Sequence, residues 1–522
     1  AWECSQGALR RESRADRTKR VVTQAGRATP RVTINVLCIP DSARPALYSH
    51  VARGNEESCD QHLAYTGRSA SGTAFPRGAW ERGKVGRRSR RALFTFSLML
   101  TLFASGVGNA YSAAKKHAAE GSVKTVSLWT YSGVNTGEYA VLKASVERYN
   151  AGRHGYYIEA LPSTIKRYDE RIQEAAEAGT LPCLLQADAS LLYAMAWSGY
   201  LQPIDQLMPK PLLDDMLPSI LAQGRYDDRL YSLGQFDSGL ALWGNRRLLD
   251  KAGVRIPTLQ APWTLAEFEQ VLDKLSKLPG AAAAIDMGAV EGYGEFYAYA
   301  YSPILQGFGG DLIERNRYRS AKGVLDGPQS VAAMTRLQQW QKKGWFRGEK
   351  SVADDFVNGK VALAWFGHWQ YLWYSRELGK DLALLPMPDF GHGIKTGMGS
   401  WSWAISSTCK EAGGAADFLN FLMSEKEILR MTLVNGAIPA RRSVLAKSPL
   451  YGERGPLRLY VQQLNAGLAV PRPQTPAYRT ISKVFAGAAV AIIAGADVQT
   501  ELSRAAAEID RDIAENRGYA ND

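Results

Sequence analysis

Two tryptophans stand two residues apart in MGSWSWAISS, residues 398–407. In a β-strand, residues i and i+2 share a face, so Trp401 and Trp403 would point the same way, with Ser400 and Ser402 opposite. Large aromatic side chains on one face form either a wall of the core or a floor for a flat ligand. The spacing alone leaves both interpretations open.

Residue types that support covalent, acid–base or metal chemistry form no recognised pattern. The sequence has no His-Glu-x-x-His motif and no Gly-x-Ser-x-Gly at a strand end. The stretch GHGIKTG at 391–397 differs from a phosphate-binding loop because its lysine does not directly follow a glycine. We therefore expect no catalytic residues, no metal site and no cofactor. A glycosidase needs only two carboxylates, so a secreted carbohydrate-active enzyme remains an alternative.

Most of the net positive charge of the chain lies in its first 91 residues. Of the 63 Lys+Arg and 51 Asp+Glu residues, residues 1–91 hold 18 and 8, which leaves 45 and 43 for the rest. The larger part of the chain is thus nearly neutral, and we expect no nucleic-acid partner. With 522 residues and 46% apolar content, the chain is long enough for two domains.

The basic front end predicts an exported protein. Arg87–Arg91 is a positive run, residues 92–104 are apolar, and Gly108–Ala110 offers small residues for cleavage. A membrane-spanning helix needs about 20 apolar residues, and this apolar run is shorter. Residues 87–110 are therefore predicted to be a signal peptide. No cysteine stands directly after the apolar run, so lipid attachment there is not expected. Residues 1–86 begin with alanine and lack periodicity, which predicts a disordered extension ahead of the natural start.

The exported part keeps two cysteines, Cys183 and Cys409. Two cysteines make neither a disulfide framework nor a zinc site. A disulfide between them would be compatible with an oxidising compartment, but two buried thiols are the favoured expectation.

Strand and helix signals alternate along the exported part, which is typical of an α/β fold. Thr264 and Glu267 have the spacing of a capping box at a helix start. Strands are predicted over residues 123–131, 155–161 and 184–187, and helices over 138–150, 167–178, 189–197, 415–423 and 498–516.

Short segments in a fixed order resemble one family. They include SLWTY at 127–131, AGTLPCLLQAD at 178–188, GYLQPID at 199–205, the long segment 241–275, LQGFGGDLI at 305–313, FVNGKVALAWFGHWQ at 356–370, LPMPDFGHG at 385–393, AADFLNFLMS at 415–424 and NGAIPARRSV at 435–444. Residues 122–520 are in this way similar to the extracellular solute-binding proteins of carbohydrate ABC importers, the group that includes maltose-binding protein. Cys183 departs from the usual aspartate, and Trp243 and Gly244 replace the usual tyrosine before Asn245.

The resemblance implies a two-lobed periplasmic-binding-protein fold, type II-like, with a hinged ligand cleft. Lobe 1 would comprise residues 122–235 and 397–441, and lobe 2 residues 236–396 and 442–522. The strand around Trp401 would then lie at the mouth of the cleft, which favours the ligand floor.

A sugar has an apolar face of C–H groups and an edge of hydroxyls, so its site needs aromatic rings and well-placed polar groups. The predicted aromatic contacts are Trp129, Tyr131, Phe236, Tyr299, Trp369, Trp401 and Trp403. Each has core packing as its alternative; Trp365, Trp369 and Trp373 at four-residue spacing could form one face of a packed helix.

The predicted polar contacts are Asp188, Asp237 and Arg441. Asp188 follows a buried strand and matches the family position where an aspartate contacts sugar hydroxyls. Asp237 has turn capping as its alternative, and Arg441 a solvated helix cap.

The predicted function is therefore capture of a mono- or oligosaccharide in the interlobe cleft and delivery to a membrane permease of an ABC importer. We expect a periplasmic monomer without enzymatic activity. The same fold binding a polyamine, iron or a phosphodiester is the principal alternative, since carboxylates against aromatic rings suit polyamines and tyrosine clusters suit iron.

Overall fold

A computed structural model describes residues 123–152, 154–162, 168–288, 294–348 and 354–520. All of these described residues belong to one compact unit. The predicted extension (1–86) and the predicted signal peptide (87–110) lie outside the described residues.

The strands, in chain order, are β1 (Lys124–Thr130), β2 (Tyr156–Pro162), β3 (Leu184–Asp188), β4 (Arg225–Tyr226), β5 (Arg229–Leu230), β6 (Ser232–Leu233), β7 (Phe236–Asp237), β8 (Leu240–Asn245), β9 (Ile285–Asp286), β10 (Leu363–Gly367), β11 (Leu382–Leu385), β12 (Thr396–Met398), β13 (Trp401–Ile405), β14 (Ile438–Pro439) and β15 (Ala469–Pro471).

The helices are α1 (Gly137–Ala151), α2 (Tyr168–Glu177), α3 (Leu192–Trp197), α4 (Lys210–Asp215), α5 (Pro218–Gly224), α6 (Arg246–Lys251), α7 (Leu265–Ser276), α8 (Gly294–Gly307), α9 (Pro328–Lys342), α10 (Tyr371–Leu378), α11 (Ala412–Leu422), α12 (Glu425–Asn435), α13 (Arg442–Lys447), α14 (Arg458–Asn465), α15 (Tyr478–Ile493) and α16 (Val498–Glu515). Short 3-10 helices cover Ala189–Leu191, His368–Gln370, Gly379–Asp381 and Arg517–Tyr519.

The first sheet has the strand order β2-β1-β3-β13-β6. Strand β1 runs parallel to β2 and β3, whereas β13 runs antiparallel to β3 and β6. All five residues of β3 are buried, as expected for a strand covered on both faces. The chain thus returns to this sheet with β13 more than 160 residues after it leaves β6.

The second sheet has the order β11-β8-β10-β9. Strand β8 is antiparallel to β10 and β11, and β9 is parallel to β10. Every residue of β8 and β10 is buried, which explains why these segments have continuous apolar runs and no alternation.

Short pairings join the parts of the chain that run between the two sheets. Strand β7 pairs with β14, and β12 pairs with β15. Helix α15 packs on α8 beside the second sheet, and it also contacts α3 and the 3-10 helix that follows β3 of the first sheet. The end of β3 and the start of α8 are therefore brought close together.

The sequence-predicted α/β elements are confirmed, with boundaries that shift by a few residues. The capping box is present: the Thr264 side chain accepts from the Glu267 backbone, and Glu267 bonds back. The alternative of one helical face for Trp365, Trp369 and Trp373 is wrong, because these residues lie in β10, a 3-10 helix and α10.

The cysteine expectation was also wrong. Cys183 and Cys409 form a disulfide with a Cα–Cα distance of 4.5 Å. Cys183 immediately precedes β3, and Cys409 lies just beyond the neighbouring β13, so sheet pairing brings them together.

Among the described residues, no helix is both long enough and apolar enough to cross a membrane. In the same part of the chain, no group of three or more His, Cys, Asp or Glu side chains is arranged to hold a metal ion.

Candidate functional site

A stacked pair of aromatic rings lies at one edge of the first sheet. Tyr131 directly follows β1 and Trp401 begins β13, and both strands flank β3, so the rings meet at the strand ends. Their centroids are 3.6 Å apart at an interplanar angle of 10°. Trp401 remains partly exposed and faces Asp188 in the β13–β3 register. The arrangement joins an aromatic surface to a carboxylate.

The Tyr131 ring is held by a polar contact at the start of α1. Thr136 caps this helix by accepting a hydrogen bond from the Tyr139 backbone, which places Glu138 in its first turn. The Tyr131 hydroxyl donates to the Glu138 carboxylate, and the Asn435 side-chain amide donates to its other oxygen at 3.0 Å. The Glu138 carboxylate therefore fixes the orientation of the Tyr131 ring.

Trp129 is also half-buried on β1, but one face of its ring is covered. The guanidinium carbon of Arg171 lies 4.1 Å from the ring centroid, a cation–π contact.

Two of the predicted aromatic contacts lie in the core. Trp403 is 1% exposed, and Phe236 packs against Met431 and Ala437. Trp403 and Phe236 border a small cavity, shared with Tyr131, that does not admit a water molecule. Ser400 and Ser402 are buried as well, so β13 is covered on both faces and has no free side for Trp403 to present. Direct ligand contact by Trp403 and Phe236 stays a prediction that needs an opening of this region.

A buried ionic cluster lies at the end of β3. One nitrogen of Arg472 donates to Asp188 Oδ2 at 2.9 Å and to Glu295 Oε1 at 2.7 Å. Glu295 lies in the first turn of α8 and also accepts hydrogen bonds from the hydroxyls of Tyr478 and Ser482. The Arg472 side chain is 7% exposed. A single guanidinium thus connects a strand end of the first sheet with a helix beside the second.

The electrostatics of this cluster follow from burial and pairing. Burial lowers the pKa of the Arg472 guanidinium, but Asp188 and Glu295 outweigh it and hold that pKa well above its ordinary value. Burial raises the pKa of the Glu295 carboxyl, opposed by Arg472 and reinforced by the charge of Asp188. The ionised arginine is therefore fixed in place, while burial favours the protonated form of Glu295.

Asp237 lies beside this cluster and is fully buried. Its Oδ1 accepts hydrogen bonds from the Gln223 side chain at 3.1 Å and from the Ser238 backbone at 2.8 Å. Burial raises the pKa of the Asp237 carboxyl. The Ser238 contact matches the turn-capping alternative, and the second carboxylate oxygen is left without such a partner among the described residues.

Tyr299 and Trp369 form the aromatic side next to the second sheet. Tyr299 lies on α8 with its ring centroid 5.4 Å from the Arg472 guanidinium carbon and 6.2 Å from the Trp369 ring. Trp369 lies over Gly367, where an added Cβ would be 2.0 Å from the ring, so glycine is required there. Tyr297 and Tyr301 instead pack edge-on against each other, since a helix separates residue 299 from them by about 200°.

A hydrogen-bonded histidine links the same region to the end of β7 and the end of α12. His368 Nδ1 lies 3.0 Å from the Asn435 carbonyl and Nε2 lies 2.8 Å from Ser238 Oγ. The carbonyl can only accept, so Nδ1 donates and Nε2 accepts from the Ser238 hydroxyl in the neutral ring. Burial lowers the pKa of His368 to about 4, against the opposing effect of the Asn435 carbonyl.

Arg441 lies elsewhere. Its guanidinium donates to Asp215 at 2.7 Å and to the Met423 carbonyl at 3.1 Å, and the residue occupies the N-cap position of α13 without a side-chain capping bond. It borders a surface cavity of about 370 Å³ together with Tyr149 and Asp417. Among the described residues, no hydrogen bond or ion pair joins Arg441 to the other predicted contacts. The helix-cap alternative describes its position, and a ligand role for it stays a prediction.

Sequence reasoning missed Arg472, Glu295, Glu138 and His368. Arg472 stands between two prolines, and its ion-pair partners are 284 and 177 residues away along the chain. Sequence motifs and periodicity relate residues that are close along the chain, so they do not reveal contacts over such separations. Glu138 was within reach, because an acidic residue in the first turn after a capping threonine is a local signal.

Residues 144–453 match a family described as bacterial extracellular solute-binding protein. The chain belongs to this family. The family match spans more than half of the chain and includes β3, β13, α8 and most of the aromatic side chains described above. These are binding proteins rather than enzymes.

Individual relatives agree with this assignment. The solute-binding protein is 24% identical over 336 residues to maltodextrin-binding protein MdxE of Bacillus subtilis, covering 59% of this chain and 75% of the relative. It is similar to the GacH receptor of Streptomyces glaucescens, solved unliganded and with acarbose, at a TM-score of 0.63, 20% identity and coverage of 76% and 99%. A solute-binding protein from Thermotoga lettingae, bound with alpha-D-tagatose, matches at a TM-score of 0.65, 19% identity and coverage of 74% and 99%.

These structural matches confirm the predicted two-lobed solute-binding fold. The aromatic stack of Tyr131 and Trp401 lies at the end of β3, where the cluster around Arg472 links β3 to the start of α8; we call this the interlobe site.

Proposed function

We propose that the protein is the sugar-binding component of an ABC importer, which captures a mono- or oligosaccharide at the interlobe site. The observation that carries the proposal is the stacked Tyr131–Trp401 pair beside the buried Asp188–Arg472–Glu295 cluster. Aromatic faces suit the C–H face of a sugar, and buried charged groups suit its hydroxyls. The ligands named for the relatives support the same class of solute.

The interlobe site implies binding by hinge motion. Asp188 belongs to the proposed lobe 1 (residues 122–235 and 397–441), and Glu295 and Arg472 belong to the proposed lobe 2 (residues 236–396 and 442–522). The ion pair between Asp188 and Arg472 therefore holds the lobes closed, and a solute enters after the pair separates. Closure favours the solute that binds the shut conformation best.

Export and delivery complete the proposal. A signal peptide at residues 87–110 would direct a monomer to the periplasm, in line with the extracellular family. The bound sugar would pass to the membrane permease subunits of the importer. The protein would act by binding alone, without catalysis, cofactor or nucleic acid.

The proposal is tested by thermal unfolding of residues 111–522 against panels of sugars, polyamines and iron chelates. A ligand at 100 times its dissociation constant raises the free energy of unfolding by about 2.7 kcal/mol. We expect a sugar to give this stabilisation. We further expect Trp401→Ala to abolish it while leaving the unliganded melting temperature nearly unchanged, because Trp401 is partly exposed.

Trp373→Ala is the matched control, since Trp373 is also partly exposed but lies on α10 and packs against Tyr374. It should keep the stabilisation by sugar. Stabilisation only by a polyamine or an iron chelate would overturn the sugar assignment and leave the fold. A Trp401→Ala protein that melts early without ligand would show that Trp401 is a core residue.

A further inference from the structure

The interlobe site holds more buried negative than positive charge. Asp188 is 6% exposed, Asp237 is fully buried, and the Glu295 side chain is 13% exposed. Among the described residues, the cation within ion-pair distance of these three carboxylates is Arg472. With all groups ionised, three carboxylates and one guanidinium leave a formal charge of −2.

The three carboxylates belong to one connected region. The Gln223 side chain donates to Asp237 and accepts from the Ser400 backbone amide at 3.0 Å. The Ser400 carbonyl in turn accepts from the backbone of Ala189, the residue after Asp188. Asp188 then meets Glu295 through the shared guanidinium. The three carboxylates are therefore linked by one chain of hydrogen bonds.

Two buried acceptors lack a close hydrogen bond among the described residues, although the Ser219 side chain lies near Asp237 and the Ser238 side chain near Tyr299. They are Oδ2 of Asp237 and the hydroxyl of Tyr299, which is 7% exposed. The Tyr299 ring faces Arg472, and the charges of Asp237 and Asp188 act on its hydroxyl. Leaving buried acceptors unpaired costs about 1–3 kcal/mol each, so this pair is suited to a donor supplied from outside the chain.

An uncompensated buried negative charge is costly, and it is relieved by protonation or by a bound cation. The raised pKa values of the Asp237 and Glu295 carboxyl groups correspond to relief by protonation. A neutral sugar hydroxyl supplies a donor but no charge, whereas an ammonium group supplies both. Aromatic rings close to the carboxylates add cation–π attraction.

We propose that the sugar captured at the interlobe site carries a protonated amino group, which binds Asp237 Oδ2 and the Tyr299 hydroxyl. This inference rests on the proposed function as a sugar receptor and specifies the class of sugar. The ammonium neutralises part of the formal −2 charge, and the stacked rings of Tyr131 and Trp401 contact the remainder of the solute.

The test is calorimetric titration of residues 111–522 at pH 6.5 with matched pairs that differ at one ring position. The pairs are glucosamine and glucose, galactosamine and galactose, and mannosamine and mannose, with spermidine as a further probe. We expect at least one amino sugar to bind about tenfold or more tightly than its neutral counterpart, the effect of one charge-assisted hydrogen bond. The preference should vanish above the pKa of the free amine, which separates charge from shape.

Asp237→Asn should remove the preference, because it keeps the shape but loses the charge. Asp497→Asn is the control: Asp497 is the exposed N-cap of α16, and asparagine retains the cap. It should bind like the parent protein. If Asp237→Asn fails to fold, the pH dependence of the parent protein decides alone.

The other outcomes separate the two proposals. Neutral sugars that bind as tightly as the amino sugars, or an amino-sugar preference that persists above the amine pKa, would overturn the inference and leave the sugar receptor standing. Binding of spermidine alone would overturn both. Binding of no member of the panel would overturn the inference, and the thermal-unfolding panel described above then decides the sugar receptor separately.

Discussion

Protonation of His368 should destabilise the folded protein, because the ring is buried and neutral. It is 3% exposed, with its two nitrogens bonded to Ser238 and Asn435. Burial lowers its pKa to about 4, from an ordinary value of 6.5. Between these values the unfolded chain binds the proton and the folded protein does not, so the free energy of unfolding falls as the pH falls.

The size of the effect follows from the same two values. Each pH step between 6.5 and about 4 changes the free energy of unfolding by about 1.4 kcal/mol. From pH 7.5 to pH 4.5 the histidine therefore accounts for a loss of about 2–3 kcal/mol. Asp237 and Glu295 act in the opposite direction, because their raised pKa values favour the folded protein as they protonate. The profile of the parent protein alone would thus mix opposing effects.

His368→Gln isolates the histidine, since glutamine is polar and does not titrate. Urea unfolding, followed by tryptophan fluorescence, should be measured for both proteins from pH 7.5 to 4.5. The parent should be more stable at pH 7.5, and its advantage over the variant should shrink by about 2–3 kcal/mol on acidification. An advantage that is the same at both ends of the range would refute a buried neutral histidine.

Two further predictions concern the covalent and ionic links. Arg472→Met should lower the free energy of unfolding by about 3–5 kcal/mol in urea, because it leaves Asp188 and Glu295 buried without their cation. Arg472→Lys should lose less, and equal losses for both variants would argue against a charge effect. Replacing Cys183 and Cys409 by serine should cost about 2–4 kcal/mol, since their disulfide closes a loop with a sequence separation of 226. Equal stability of the parent with and without reductant would contradict that estimate.

Local signals predicted much of the fold. The alternation at Val126 and Leu128 marked β1, and the spacing of Thr264 and Glu267 marked the start of α7. Both depend on residues that are neighbours in sequence. The disulfide was not predictable in this way, because it depends on the pairing of β13 with β3 across more than 200 residues.

The candidate site likewise contains residues that local sequence signals predicted and others that they did not. The sequence predicted contacts at Tyr131, Asp188 and Trp401, which lie at strand ends, and the structure brings these strand ends of one sheet together. The sequence favoured Trp401 over Trp403 because Trp403 lies deeper along the strand, but strand periodicity says which residues share a face and not whether that face is covered. Ser402 on the opposite face is buried as well, so burial follows from neighbouring elements and not from the alternation.

The position of Arg472 limits how the lobes open. The residue follows β15, which pairs with β12, and an added Cβ on Gly399 after β12 would lie 2.5 Å from Arg472 Nη2. The arginine therefore lies against the segment that connects the proposed lobes.

If Arg472 stays paired with Glu295 when the lobes open, only its ion pair with Asp188 separates. Asp188 is then exposed to water instead of remaining buried and unpaired. The Arg472→Met variant should lose about 3–5 kcal/mol of unfolding free energy because its carboxylates stay buried without a cation. Opening exposes Asp188 to water, so it should cost less free energy than that substitution. An ammonium-bearing solute that offsets the remaining carboxylate charge would recover more free energy on closure than a neutral one, which couples the choice of solute to the closed conformation.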